Sequence, residues 1–271
     1  MGEALKNRTH LPNVYLGVIL LLMYVPIVLV IIYSFNESKI SSVWDGFSLK
    51  WYEELFRDRA LFESLLNSII LGVSSSCAAA VIGTLGAVGS SKVQLRGKGL
   101  MEYISTLPLM IPEIILGMVF MVFFSLIGLP FGMTTLIIAH TAFCIPYVFM
   151  LVKARLVGLD KSLEEAALDL GASKVRAFFD IVLPLIAPAI ASGMLLAFAM
   201  SFDDVIISFF VTGVDSNTLP LKIYSQLKTR VTPQINALCT LIFLVTTSLC
   251  GLAIFLGREK KPKTPKETTE I

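Results

Sequence analysis

A chain of 271 residues that is 55% hydrophobic and only 15% charged, with a mean hydropathy of +0.80, carries too much apolar surface to be a water-soluble globular domain. It reads as an all-α polytopic membrane protein. The net charge of +2 gives no argument for nucleic-acid binding, and Cys77, Cys144, Cys239 and Cys250 all fall in apolar runs, where they act as small apolar residues and imply no disulfide.

Runs long enough for a hydrocarbon core of about 30 Å occur at 14–35, 65–89, 100–126, 133–152, 181–201 and 236–256. Six spans are expected. The first is no cleavable signal: its run is about twice the usual length, and Ser34-Phe35-Asn36 offers no small-x-small site. The segment 36–64 that follows holds six acidic residues (Glu37, Asp45, Glu53, Glu54, Asp58, Glu63), and 48–56 reads as a capped interfacial helix with its aromatics at headgroup level. The second span carries Gly72, Ser76, Ala80, Thr84 and Ala79, Gly83, Ala87 at intervals of four, rows that let helix backbones approach closely in lipid. The third contains Pro112-Glu113. In the fourth, His140 and Cys144 share a helical face, but two ligands make no metal site, and packing with a hydrogen bond is the expectation. Turn formers (Gly213, Asp215, Asn217, Pro220, Pro233) punctuate 211–235. A single membrane domain over 1–257 and a disordered cytoplasmic tail over 258–271 complete the chain.

Basic residues orient it. With the N-terminus inside, the inner segments hold fifteen Lys and Arg (positions 6, 8, 92, 96, 98, 153, 155, 161, 174, 176, 258, 260, 261, 263, 266) and the outer ones seven (39, 50, 57, 59, 222, 228, 230). Both termini are expected in the cytoplasm, and so is the loop 153–180.

That loop contains Glu165-Ala166-Ala167-x3-Gly171-x9-Ile181-x-Leu183-Pro184. Physically it is two short helices joined at a glycine. Asp160 is placed to cap the first, Glu164 and Glu165 suit its dipole, Gly171 supplies a left-handed stop and Ser173 can cap the second. Leu163, Ala167 and Leu170 recur at helical spacing, leaving a small apolar face that wants a partner. The pattern resembles the signature loop of permease subunits in bacterial ATP-driven importers, which implies that Glu165, Ala166, Ala167, Gly171, Ile181, Leu183 and Pro184 couple the chain to an ATPase. The phosphate-cradling loop G-x-x-x-x-G-K-[ST] does not occur here, and neither does H-E-x-x-H or G-x-S-x-G. The chain is therefore expected to be a transporter subunit, no enzyme and without a cofactor of its own, ATP and Mg being bound by a partner ATPase.

A more specific likeness lies in 201–213 (Ser-Phe-Asp-Asp-Val-Ile-Ile-Ser-Phe-Phe-Val-Thr-Gly), 219–225 and 231–237, together with 24–27, 50–52 and 139–147. These stretches resemble the spermidine/putrescine ABC importer permeases of the PotC type. The resemblance implies a type I importer permease fold in the bacterial inner membrane, with a second, PotB-like permease, a dimer of PotA-like ATPases and a PotD-like extracytoplasmic polyamine-binding protein as partners. One departure is Glu113 after Pro112, where the family pattern has aspartate. Rival readings are an importer for ferric iron or an opine-like amine and, from another class, a stand-alone channel or receptor.

The residues themselves suit a cationic cargo. A charge within a span costs about 2.5 to 3.5 kcal/mol on insertion scales and so faces a cavity or a partner; Glu113, Asp203 and Asp204 are the candidates. Phe143, Tyr147 and Phe202 are placed to add cation-π contacts along the pathway. Adjacent helical residues point about 100° apart, so Asp203 and Asp204 are expected to divide the work, one facing the pathway and one capping the helix that begins at Val205. For Glu113 a pathway role and a place at a broken-helix end stand side by side.

Overall fold

Backbone in lipid has no hydrogen-bond partner but itself, and the chain resolves that constraint with helices. The computed structural model describes residues 10–39, 43–92, 98–160, 162–229 and 233–257. In chain order the helices are α1 (His10–Tyr33), α2 (Lys50–Arg57), α3 (Arg59–Lys92), α4 (Lys98–Thr106), α5 (Glu113–Leu126), α6 (Met133–Val157), α7 (Ser162–Asp169), α8 (Lys174–Ala177), α9 (Leu183–Asp203), α10 (Ile206–Val211), α11 (Leu219–Thr229) and α12 (Pro233–Gly257). A 3₁₀ turn, Leu107–Met110, follows α4, and a π turn, Phe178–Val182, joins α8 to α9. The expected cytoplasmic tail lies outside the described residues.

Among the described residues two compact units emerge, one falling within residues 1–58 and 226–257 and one within residues 59–225. In the first, α12 packs against α1 and α2. The loop after α1 is pinned by buried Asn36, whose side chain donates to the Val43 carbonyl and accepts from the Asp45 and Ser38 amides. The interfacial helix expected at 48–56 begins at Lys50, with the Ser48 hydroxyl accepting from the Lys50 amide at 3.2 Å. Its Trp51 is only 5% exposed and donates from Nε1 to the Asn36 carbonyl at 2.7 Å. A buried indole N–H needs such an acceptor.

The second unit is built on α3, α6 and α9, which pack on one another. Both small-residue rows of α3 are buried throughout, from Gly72 to Thr84 and from Ala79 to Ala87. Val148 of α6 is fully buried between two glycines: a Cβ at Gly83 would stand 2.9 Å from its Cβ, and one at Gly193 of α9 would stand 3.1 Å from its Cα. Backbones this close tolerate no side chain on the facing helix.

Among the described residues, four helices are long and apolar enough to cross a membrane: Pro12–Tyr33, Arg59–Ser91, Met133–Val157 and a continuous Lys174–Asp203. The third expected span is not one rod. Glu102–Met110 and Glu113–Leu126 meet at 109°, so the pair counts as a fifth span only if it is taken as a single broken one. Pro108 and Pro112 withhold two amides from the helical ladder, and Ile111 and Pro112 turn extended, with ψ 127° and 133°. The sixth expected run falls on α12, whose described apolar part, Pro233–Ser248, is shorter.

Candidate functional site

Three places in the second unit hold the residues singled out from the sequence. The first is the bend before α5. Glu113 opens α5 directly after Pro112, where the unpaired amides of the first turn favour a carboxylate. It is half-buried. Phe143 meets Tyr147 edge to face, ring centroids 5.6 Å apart, but is itself buried, so its faces are taken up by packing.

The second place is the break between α9 and α10. Asp203 ends α9 and is exposed; Asp204 follows in extended conformation, ψ 131°, and is buried. The Asp204 carboxylate caps α10, accepting from the Ile207 amide at 3.2 Å and the Ser208 amide at 2.8 Å. Its Oδ2 also lies 3.4 Å from Nε2 of His140. His140 has no exposed surface and stands 2.8 Å from the Ser201 hydroxyl through Nδ1 and 3.1 Å from the Ser208 hydroxyl through Nε2. Ser75 of α3 closes the chain of hydroxyls at 3.0 Å from Ser201. Phe202 stacks on Phe198 at 5.7 Å. The reading of His140 from sequence stops at packing with a hydrogen bond; the serines at 201 and 208, one turn to either side of Asp204, were the signal for the rest. Among the described residues no cluster of three metal-ligating side chains occurs.

The third place is the loop after α6. The Asp160 carboxylate accepts from the Ser162 amide at 3.0 Å, which holds its carboxyl below the usual carboxylate range. The cap is therefore complete at neutral pH and weakens only as pH falls through that lowered value. At the other end of α7, Gly171 adopts φ +86°. The Ala172 amide bonds the Ala167 carbonyl at 3.0 Å and the Gly171 amide bonds Leu168 at 2.9 Å, the paired bonds of a Schellman stop. The Ser173 hydroxyl then accepts from the Arg176 amide at 3.3 Å and starts α8. Glu165, Ala166, Gly171 and Pro184 are exposed, Ala167, Ile181 and Leu183 half-buried. Beside them opens a cavity of about 350 Å³ whose lining includes Leu159, Leu163, Glu165, Lys174 and Ile181. Leu170, 90% exposed, and Val175, 67% exposed, leave the loop with apolar surface that none of the described residues covers. One pairing was not foreseen: Lys153, near the end of α6, forms an ion pair with Glu102 of α4 and lies 5.8 Å from the Phe149 ring centroid.

Residues 79–258 match the family described as binding-protein-dependent transport system inner membrane component. The chain is 43% identical over 227 residues to the putrescine transport system permease protein PotI of Escherichia coli K12, covering 81% of each. It is 36% identical over 253 residues to the spermidine/putrescine transport system permease protein PotC of Haemophilus influenzae, covering 93% of this chain and 98% of that one. Among solved structures, a bacterial ABC transporter involved in import of the acidic polysaccharide alginate superposes with a TM-score of 0.72 at 16% identity, covering 94% of this chain and 97% of the other. At that identity the likeness speaks for the fold alone. The architecture is that of a type I ABC importer permease.

Proposed function

Because the chain belongs to the family of binding-protein-dependent transport system inner membrane components, we propose that it is the permease subunit of an ATP-driven importer of spermidine or putrescine. The observation that carries the cargo class is the nearly end-to-end similarity to two permeases whose shared cargo is an aliphatic amine. The chemistry of the two helix breaks agrees. Protonated amines need acceptors that are charged yet not fully desolvated, since a sealed ion pair would trap the cargo. Exposed Asp203 and half-buried Glu113 meet that requirement, whereas Asp204 is engaged in the cap.

The subunit works by alternating access and supplies half of the pathway, the other half coming from a second, PotB-like permease. A dimer of PotA-like ATPases binds ATP and Mg and grips the loop around Glu165 and Gly171; a PotD-like protein delivers the cargo from outside. Both termini face the cytoplasm. The test is radiolabelled spermidine and putrescine uptake by cells that lack other polyamine importers and express this chain with its neighbouring transporter genes. Uptake of at least one amine, lost when the ATPase is inactivated, is the expected result. Assembly of the complex without uptake of either amine would sink the cargo assignment and leave the importer architecture standing.

A further inference from the structure

A break inside an apolar helix leaves amides and carbonyls without partners, and a following helix of six residues cannot hold itself together by its own hydrogen bonds. Something must fix the angle between α9 and α10. Among the described residues, a side chain that reaches both is His140, which belongs to neither. Its Nδ1 meets Ser201 on the α9 side at 2.8 Å, and its Nε2 meets Ser208 on the α10 side at 3.1 Å, with Asp204 Oδ2 at 3.4 Å. An imidazole is flat and rigid, so its two nitrogens hold these partners at one separation; a side chain with a single polar end holds only one of them. The ring is anchored in turn. Ser75 of α3 stands behind Ser201 at 3.0 Å, and one turn along α6 the Cys144 thiol donates to the Ala197 carbonyl of α9 at 3.4 Å.

We infer that His140 is a positioning residue for transport: by bridging α9 and α10 it sets the break, and thereby the direction of the exposed Asp203 carboxylate at that break. The inference rests on the reading of Asp203 as a pathway group. Asp203 lies at the end of α9 and its neighbour is held by the cap, so its direction follows the backbone angle there.

Two measurements on the assembled transporter test this. In the first, spin labels are carried on ketone-bearing amino acids at exposed Ala191 of α9 and Phe209 of α10, leaving the native cysteines untouched. Dipolar distance measurement should give one narrow distribution for the parent chain and a broadened or displaced one for His140→Asn, which can keep the Ser201 bond but cannot reach Ser208. His140→Leu should broaden it further; His140→Asn keeps the test open if the leucine variant fails to fold. An unchanged distribution in the asparagine variant would overturn the inference, whatever the cargo is. In the second, His140→Asn should raise KM for amine uptake by about tenfold, the effect of one misplaced charge-assisted bond, with assembly and maximal rate little changed. The same substitution should add nothing in an Asp203→Asn background, because a residue acting through another loses its effect when that other is removed. Multiplicative losses in the double variant would overturn the link between His140 and Asp203. Parent rates in Asp203→Asn alone would instead overturn the pathway role of Asp203, while the distance measurement still reports whether His140 sets the break.

Discussion

Asp203 and Asp204 are neighbours in the chain and opposites in environment, the first exposed and the second buried with two backbone amides on its carboxylate. A cap of this kind contributes about 1 kcal/mol, and asparagine provides it nearly as well as aspartate. Asp204→Asn should therefore leave the melting temperature of the detergent-solubilised complex close to the parent value, while Asp204→Ala should lower it by a few degrees. Equal losses in both variants would mean that the charge opposite His140 outweighs the cap. The sequence leads to the expectation that two adjacent helical carboxylates point about 100° apart, whereas Asp204 lies beyond α9 in extended conformation. It does not show which one turns inward, because the buried surroundings of Asp204 include His140, 61 and 68 residues from the serines it joins. For Glu113 the neighbouring proline was sufficient: a helix that restarts after Pro112 puts the carboxylate in its first turn.

Helix ends in the loop after α6 were the most legible elements, since caps and stops are local chemistry. Asp160, Gly171 and Ser173 each make the bond or take the conformation that their residue type suggests. A valine at position 171 would be forced to φ +86°, a region that β-branched residues resist at a cost of about 1 to 3 kcal/mol. Gly171→Val should misalign α7 with α8 and abolish ATPase copurification while the chain still inserts, and Glu165→Lys should weaken the same copurification. Normal copurification and uptake in both would remove the coupling role from this loop. Packing elements were legible too, through the small residues of α3. Gly83→Leu drives a branched side chain into Val148 and the Ile145 carbonyl, so it should cost well over 1 kcal/mol and show as loss of folded chain at matched expression. Recovery of stable protein would show that α3 and α6 can move apart. The third expected run is bent by 109°, more sharply than its apolar length suggests, although a broken-helix end after Pro112 was legible in the sequence. Pro108 and Pro112 lie within that run, and a proline pair four residues apart ends the ladder however apolar its surroundings.

At the scale of the whole molecule, membrane residence follows from composition, and the family follows from the loop and the stretch around Asp203. A single such permease lines part of a pathway only, so proteoliposomes holding this chain and an ATPase should show no amine uptake until a second permease is added; uptake without it would favour a homodimer. Reporter fusions at either terminus should be active only in their cytoplasmic form, and an externally active fusion would reverse the orientation. The 109° bend before α5 has one more effect, on the surrounding lipid. The leg beyond it, Glu113–Leu126, has 14 residues. At about 1.5 Å per residue it extends about 21 Å, well short of the about 30 Å that separates the headgroup layers. A hydrocarbon layer meeting so short a leg must thin, or be kept away by a neighbouring chain. Longer acyl chains then strain the boundary on this side of the subunit more than at the straight helices. The thickness of the host membrane thereby becomes a variable of the transport cycle, one that uptake measured across a series of phosphatidylcholine chain lengths would expose as an optimum rather than a plateau.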